Sequence, residues 1–220
     1  MASIDPNWFT GIIDLSHHEH REIDWELLVQ NGITAVMHKA TEGTTFVDNS
    51  YEFRRRAAQE AGLLWGSFHF AGELDGTGRA QADHYLSVAQ VQPSDFLCFD
   101  CEKHGTFDNM ERFVERVAER LSRYPAIYGR RLLRELMRGN EHSIVTRGVL
   151  WYDEYPPSNV IHPRQPLPAG WSDWTLWQYT NGADGPDPKL TTGAGRVDRS
   201  AFKGSAAELR AQWPFFRAAQ

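Results

Sequence analysis

The chain has 220 residues, and a hydrophobic fraction of 41% is enough to build the core of one large domain. Apolar runs are spread along the whole length, which excludes a disordered polypeptide. With a formal net charge of -6 and no Lys/Arg run, the sequence excludes a nucleic-acid surface and strong non-specific attraction to an anionic membrane or wall polymer.

Read in chain order, short apolar runs alternate with amphipathic helices. "GIIDLS" is a strand ending at Asp14 and Ser16, and "IDWELLVQNG" is a short helix capped by Asp24 and followed by Gly32. "TAVMHKAT" is the second strand, and "NSYEFRRRAAQEAGL" the second helix, closed by Gly62. "LLWGSFHFA", "GRAQADHYLSVAQ" and "DFLCFDCE" give the third strand, third helix and fourth strand. In the fourth helix Asp108 is the expected cap, with Glu111 three residues on, and Met110, Phe113, Val114, Val117 and Leu121 recur at helical spacing. "PAIYG" and "RRLLRELMRG" complete a fifth pair. The rhythm then changes: "GVLWYDEY", "WTLWQYT" and "GRVDRSAF" are strands with no good helix between them. Residues 156–173 form a long Pro-rich loop, and a last helix begins at Ser205 with a Ser-Ala-Ala-Glu capping box.

Alternating strands and helices imply a parallel sheet with helices outside. Eight strand candidates, the last three lacking helices, point to an α/β fold of a particular kind: an irregular TIM-like (β/α)5(β)3 barrel occupying residues 1–220 as one catalytic domain. An open doubly wound sheet is the competing architecture, but no Gly-x-Gly-x-x-Gly follows the first strand and no P-loop occurs, so nucleotide binding has no support.

In such folds the chemistry sits at the carboxyl ends of the strands. Those ends carry Asp14 and Ser16, Lys39 and Glu42, His69, Asp100 and Glu102, Tyr128, Tyr152 with Asp153 and Tyr155, Gln178 and Tyr179, and finally Asp198. Asp100 and Glu102, at i and i+2, share one strand face about 6.5–7 Å apart at Cα. If the barrel closes, these acids converge and cannot all ionise, so at least one is held protonated near neutral pH. A proton donor beside a carboxylate is what cleavage of a glycosidic bond asks for. Glu102, longer and nearer the mouth, is placed to reach a leaving-group oxygen while Asp100 lies deeper.

The sequence resembles the glycoside hydrolase family 25 muramidases, a lysozyme type. The matching stretches, in family order and covering nearly the whole chain, are "GIIDLSHHEHREIDW", "HKATEGTTFVD", "AGLLWGSFHF", "QADHYL", "FDCE", "PAIYG", "LWYDEY", "LWQYTNG" and "VDRSAF". The resemblance implies the same irregular barrel and hydrolysis of the β-1,4 bond between N-acetylmuramic acid and N-acetylglucosamine in a peptidoglycan glycan strand. It implies retention of configuration and no metal or organic cofactor. Glu102 matches the general acid/base, Asp100 its partner carboxylate, and Asp14 and Asp198 two further acids of the site. Either Asp100 or the substrate's own N-acetyl oxygen could be the nucleophile; substrate assistance is the preferred reading because any 2-acetamido sugar offers it. Two departures stand out. Phe68 replaces a tyrosine common in the family, and Asp153 and Glu154 stand where the family is often apolar or small.

Each residue also has a plainer reading. Asp14 could cap backbone, Asp198 could pair with Arg196 or Arg199, and Lys39 and Glu42 read best as a structural ion pair. His17, His18 and His20 lack metal-ligand spacing, and one substrate-facing histidine is the better expectation. His69, Tyr128, Tyr152, Gln178 and Tyr179 are the expected substrate contacts, although a histidine within an apolar strand is by default buried and hydrogen-bonded. Trp151 and Trp177 are further candidates for sugar subsites. Cys98 and Cys101, three apart on a strand, face opposite sides, so neither a disulfide nor a metal site is expected.

No signal peptide is visible in "MASIDPNWFTG", and no stretch approaches a membrane span. A monomer acting on the cell wall is expected, without membrane insertion, as a phage lysin or a protein exported by another route. The competing functions are a non-catalytic glycan-binding barrel and a chitinase-like hydrolase.

Overall fold

A computed structural model of the protein describes residues 4–19, 22–72, 77–157 and 159–215. Eight strands form its centre: β1 (Phe9–Leu15), β2 (Ala35–Glu42), β3 (Leu64–Phe70), β4 (Phe96–Asp100), β5 (Ala126–Gly129), β6 (Leu150–Asp153), β7 (Leu176–Thr180) and β8 (Asp198–Phe202). Helices α1 (Trp25–Gln30), α2 (Tyr51–Glu60), α3 (Gly78–Ala89), α4 (Phe107–Leu121) and α5 (Arg131–Leu136) each follow one of the first five strands. The last three strands are joined by loops, with α6 (Ala206–Gln212) after β8. β1 through β7 run parallel from neighbour to neighbour. β8 closes the barrel by pairing antiparallel with both β7 and β1. The expected (β/α)5(β)3 barrel is therefore present, with the last strand reversed. Short pairs the sequence reading did not anticipate decorate it: Phe46–Val47 against the end of β2, and Leu190–Thr191 with Gly195–Arg196.

The period-two alternation of strands divides the core into two layers. Inward residues, among them Ile12, Met37, Phe68, Phe96, Cys98, Trp151, Leu176 and Phe202, fill the barrel. Outward residues such as Ile13, Val36, Leu97, Phe99, Ile127, Leu150 and Trp177 meet the helices. Cys98 and Cys101 are both free and lie in different layers, as their spacing requires. The amino-terminal end is sealed by α6 and the residues just beyond it: Leu209 is fully buried, and the Trp213 ring lies 5.3 Å from that of Phe96. Fully burying each such large apolar side chain contributes about 1.5–3 kcal/mol. Gly66 makes this interior fit possible, because a Cβ there would come within 2.9 Å of Phe96 Cβ.

Local signals account for most boundaries. Asp24 caps α1 by accepting from Leu27 N at 2.8 Å, and Ser205 and Glu208 form the expected capping box. The α4 expectation is corrected. Thr106, in extended conformation, is the cap and accepts from Asn109 N, while Asp108 lies inside the first turn, where it pairs with Arg112 at 2.8 Å. An acid there still complements the helix dipole.

The loop between β6 and β7 is pinned at several points. Glu154 accepts from the backbone N–H groups of Arg164 and Gln165, and Trp171 Nε1 donates to Gly148 O at 2.9 Å. Glu154, one of the two acids by which the sequence departs from the family, organises this loop, because its carboxylate is the acceptor for two backbone groups.

Candidate active site

A cavity opens at the barrel mouth where the carboxyl ends of the parallel strands lie, with a volume of about 380 Å³. Its walls include Asp14, Glu19, Lys39, Glu42, Asp100, Glu102, Tyr128, Tyr155, Gln178 and Asp198, over Phe68, Phe70 and Trp151. The strand register explains the gathering. Asp14 lies opposite Asp198 across the β1–β8 pair, and Asp100 opposite Tyr128 across β4–β5. Chain ends and chain middle thus meet at one level of the barrel.

On β2 simple alternation would turn Glu42 outward. The pairing with β3 skips Ala40, so Lys39 faces Phe68 and Thr41 faces His69. This bulge resets the parity and places both Lys39 and Glu42 at the cavity. They pair at 2.5 Å, as expected, and Lys39 Nζ also lies 4.5 Å from the centre of the Phe70 ring.

Gln178 connects the acids. Its Nε2 donates to both Asp14 oxygens at 3.0 Å and to Asp198 Oδ2 at 3.3 Å. Its Oε1 accepts from Tyr128 Oη at 2.7 Å and from Tyr155 Oη. Ionised carboxylates only accept hydrogen bonds, so this amide orientation is the one that suits charged acids. Asp198 is therefore not held by Arg196 or Arg199, whose guanidinium groups bind Gly182 O and the carbonyls of Leu190 and Thr10.

Burial dominates the electrostatics. Desolvation, reinforced by Asp198, raises Asp14 well above the ordinary carboxyl range, against the Gln178 hydrogen bond. Desolvation and then Glu102 do the same to Asp100, although Asp100 Oδ1 accepts from Glu102 N at 3.1 Å. Asp198 is pushed up to about 7 by desolvation, then by Glu19 and Glu102. Glu102 is also raised by desolvation, with Lys103, Lys39 and Arg130 opposing. Its side chain nevertheless reaches solvent at the mouth. A site with this proton inventory can offer a proton from one acid and negative charge from another.

Three expected substrate contacts are displaced by strand parity. His69, Tyr152 and Tyr179 flank inward residues and so point outward into the helix layer. His69 is fully buried between Thr41 and Gln81, with ring nitrogens at 2.8 and 2.9 Å, and desolvation lowers it to about 3. Tyr152 Oη donates to Pro166 O at 3.5 Å, and Tyr179 Oη to Pro188 O at 2.9 Å. Tyr128 and Gln178 do line the cavity, as does Trp151, whereas Trp177 packs outside. Of the three histidines after β1, His18 faces the cavity and His17 bonds Asp48 at 3.0 Å; His20 lies outside the described residues. Among the described residues no group of three or more His, Cys, Asp or Glu side chains is arranged to hold a metal ion. Sequence reasoning missed Glu19 and Phe70 as cavity residues, and names Tyr155 only as a strand-end residue and Phe68 only as a departure from the family. Counting parity from Asp100 along each paired strand is the signal that would have found the two phenylalanines.

A closed barrel with protonatable and ionised acids at its carboxyl mouth defines a barrel-type glycosidase. The profile of Glycosyl hydrolases family 25 matches residues 13–187, and the chain belongs to that family. It is 28% identical to lysozyme M1 of Streptomyces globisporus over 95% of this chain and 74% of that protein. It is 26% identical to an N,O-diacetylmuramidase of Arthroderma benhamiae over 71% of each. Among solved structures, a muramidase from Acremonium alcalophilum superposes with a TM-score of 0.74 at 27% identity, covering 90% of this chain and 96% of its own. A family GH25 lysozyme from Aspergillus fumigatus gives 0.74 at 26% identity, covering 93% and 98%.

Proposed function

We propose that the protein is a peptidoglycan muramidase, hydrolysing the β-1,4 bond between N-acetylmuramic acid and N-acetylglucosamine. The observation that carries this reading is the pair on one strand end, a buried Asp100 beside a Glu102 that reaches the open mouth, both raised by desolvation. Glu102 gives its proton to the leaving oxygen and then activates water as a base. Asp100, oriented by the Glu102 backbone N–H, holds and charges the substrate's N-acetyl group, whose oxygen attacks the anomeric carbon with retention. Asp14 and Asp198, tied through Gln178, share proton and charge on the opposite wall, and the ionised member of the pair favours the oxocarbenium-like transition state. Tyr128 and Gln178 form the substrate-facing wall. The chain works as one catalytic domain and as a monomer, on the cell wall, reached as a phage lysin or by another export route.

The test is product analysis on purified peptidoglycan. A muramidase leaves muramic acid at the new reducing end, a chitinase-like or glucosaminidase activity leaves N-acetylglucosamine, and a glycan-binding barrel leaves none. A glycosyl adduct trapped on Asp100 would replace substrate assistance by a covalent enzyme intermediate.

A further inference from the structure

Beside the mouth lies a second groove, of about 450 Å³, that shares Tyr155 with the catalytic cavity. Its two cations are Arg130, at the end of β5, and Lys189. Several arginines of the fold are fixed on backbone: Arg54, Arg123 and Arg199 each donate to two or more carbonyls. Arg130 differs. Its Nε stands 3.8 Å from Asp153 Oδ2, and its guanidinium makes no hydrogen bond to any described residue. The buried Asp153, with Oδ1 unpartnered among the described residues, anchors that arm from behind and leaves the planar fork free. Lys189 donates to Ala183 O at 3.1 Å and has no carboxylate partner among the described residues. The groove's own acid, Asp184, is turned to its loop, where it accepts from Asn181 Nδ2 at 3.3 Å. In a chain of net charge -6, beside an acid-lined cavity, this is a place prepared for carboxylates.

We propose that this groove binds carboxylates of the stem peptide attached to the muramic acid residue, so that the enzyme discriminates peptide-bearing from bare glycan. The inference rests on the muramidase reading above. The lactyl group of muramic acid carries a peptide whose free carboxylates hang beside the sugar next to the scissile bond. Arg130 offers a bidentate contact and Lys189 a point charge, and Tyr155 borders both their groove and the cavity that holds Glu102.

The experiment compares kcat/KM on glycan strands retaining their stem peptides with the same strands stripped by an amidase, both freed of other wall polymers. Wild type should prefer the peptide-bearing strands. Arg130→Gln and Lys189→Gln should each cut that preference about fivefold, the worth of one exposed ionic contact. The double variant should cut it about 25-fold if the two contacts act independently. Arg130 also lies near enough to Glu102 to influence its proton, but that acts on both substrates alike and cancels in the ratio. A wild type without preference, or variants that keep the wild-type ratio, overturns the proposal. If wild type cleaves neither substrate, the muramidase reading fails instead. The groove is then decided by titrating disaccharide tripeptide against bare disaccharide on Glu102→Gln, with and without Arg130→Gln.

Discussion

Two groups of acids in this molecule behave in opposite ways. On the outer faces of α3 and α4, Glu119 receives Arg79 at 2.7 and 2.8 Å and Arg116 at 3.2 Å, and Arg116 also holds Asp83. The Arg79 and Arg116 hydrogen bonds lower Glu119 to about 2. At the barrel mouth, Asp14, Asp100, Glu102 and Asp198 are all raised. Their partners are an amide and a backbone N–H, and the nearby Lys39 is already paired with Glu42. The residue types are the same; what differs is whether a cation or a protein wall stands next to them. The fold bonds arginines directly to acids that need only be soluble, and gives no arginine hydrogen bond to the four mouth acids among the described residues. Such a pocket is built at the expense of stability, since each raised carboxyl charges less readily in the fold than in the open chain.

The comparison breaks most sharply at Glu102. Glu102→Gln keeps the shape and removes the proton, so turbidity loss of a peptidoglycan suspension should slow by about 10²–10⁴-fold while binding persists. Equal lysis by the variant would refute the acid assignment. Next comes Gln178→Leu, which strands the Tyr128 and Tyr155 hydroxyls and the Asp14 carboxylate together. Urea unfolding should show a loss of about 3 kcal/mol with an unchanged slope.

Asp198→Asn sharpens the contrast through pH. The folded carboxyl sits at about 7 against an ordinary 3.8. The native state therefore holds a proton that the unfolded chain releases between those values. That contribution to stability is complete below about pH 4 and is lost as pH rises through about 7. The variant should match wild type at pH 4 and exceed it on the order of 1–2 kcal/mol at pH 8, measured by urea unfolding at each pH, while activity falls. A variant less stable at pH 8 would mean that Asp198 is a structural acceptor after all. Least affected is Glu119→Gln on the solvated network, which should leave lysis at the wild-type rate and thermal unfolding nearly unmoved. Its lowered pKa has the opposite sign, so whatever it adds is present above about pH 4 and fades as pH falls toward 2.

Much of this is legible in the sequence. The alternation from "GIIDLS" to "RRLLRELMRG" carries the five βα units, and the run after it carries three strands without helices. Asp100 and Glu102 are legible because an apolar strand ends on them, and Asp14 because it lies near the end of β1; Asp198 instead opens β8 and reaches the mouth only because that strand runs antiparallel, which no local pattern marks. The illegible part is long-range or depends on a single residue of register. His69, Tyr152 and Tyr179 each sit one step from an inward residue, and one step on a strand exchanges cavity for helix layer. The bulge at Ala40 carries no local mark, since it exists only relative to β3. Gln178 reads from sequence as a sugar contact, but its hold on Asp14 crosses 164 residues of chain, which no local pattern records.

The antiparallel seam between β1 and β8 has a temporal meaning. Asp14 is synthesised long before Asp198, yet the two are register partners. A growing polypeptide therefore carries only part of the wall-cutting machinery until its eighth strand has emerged from the ribosome, and hydrolytic competence arrives as one late event rather than by degrees.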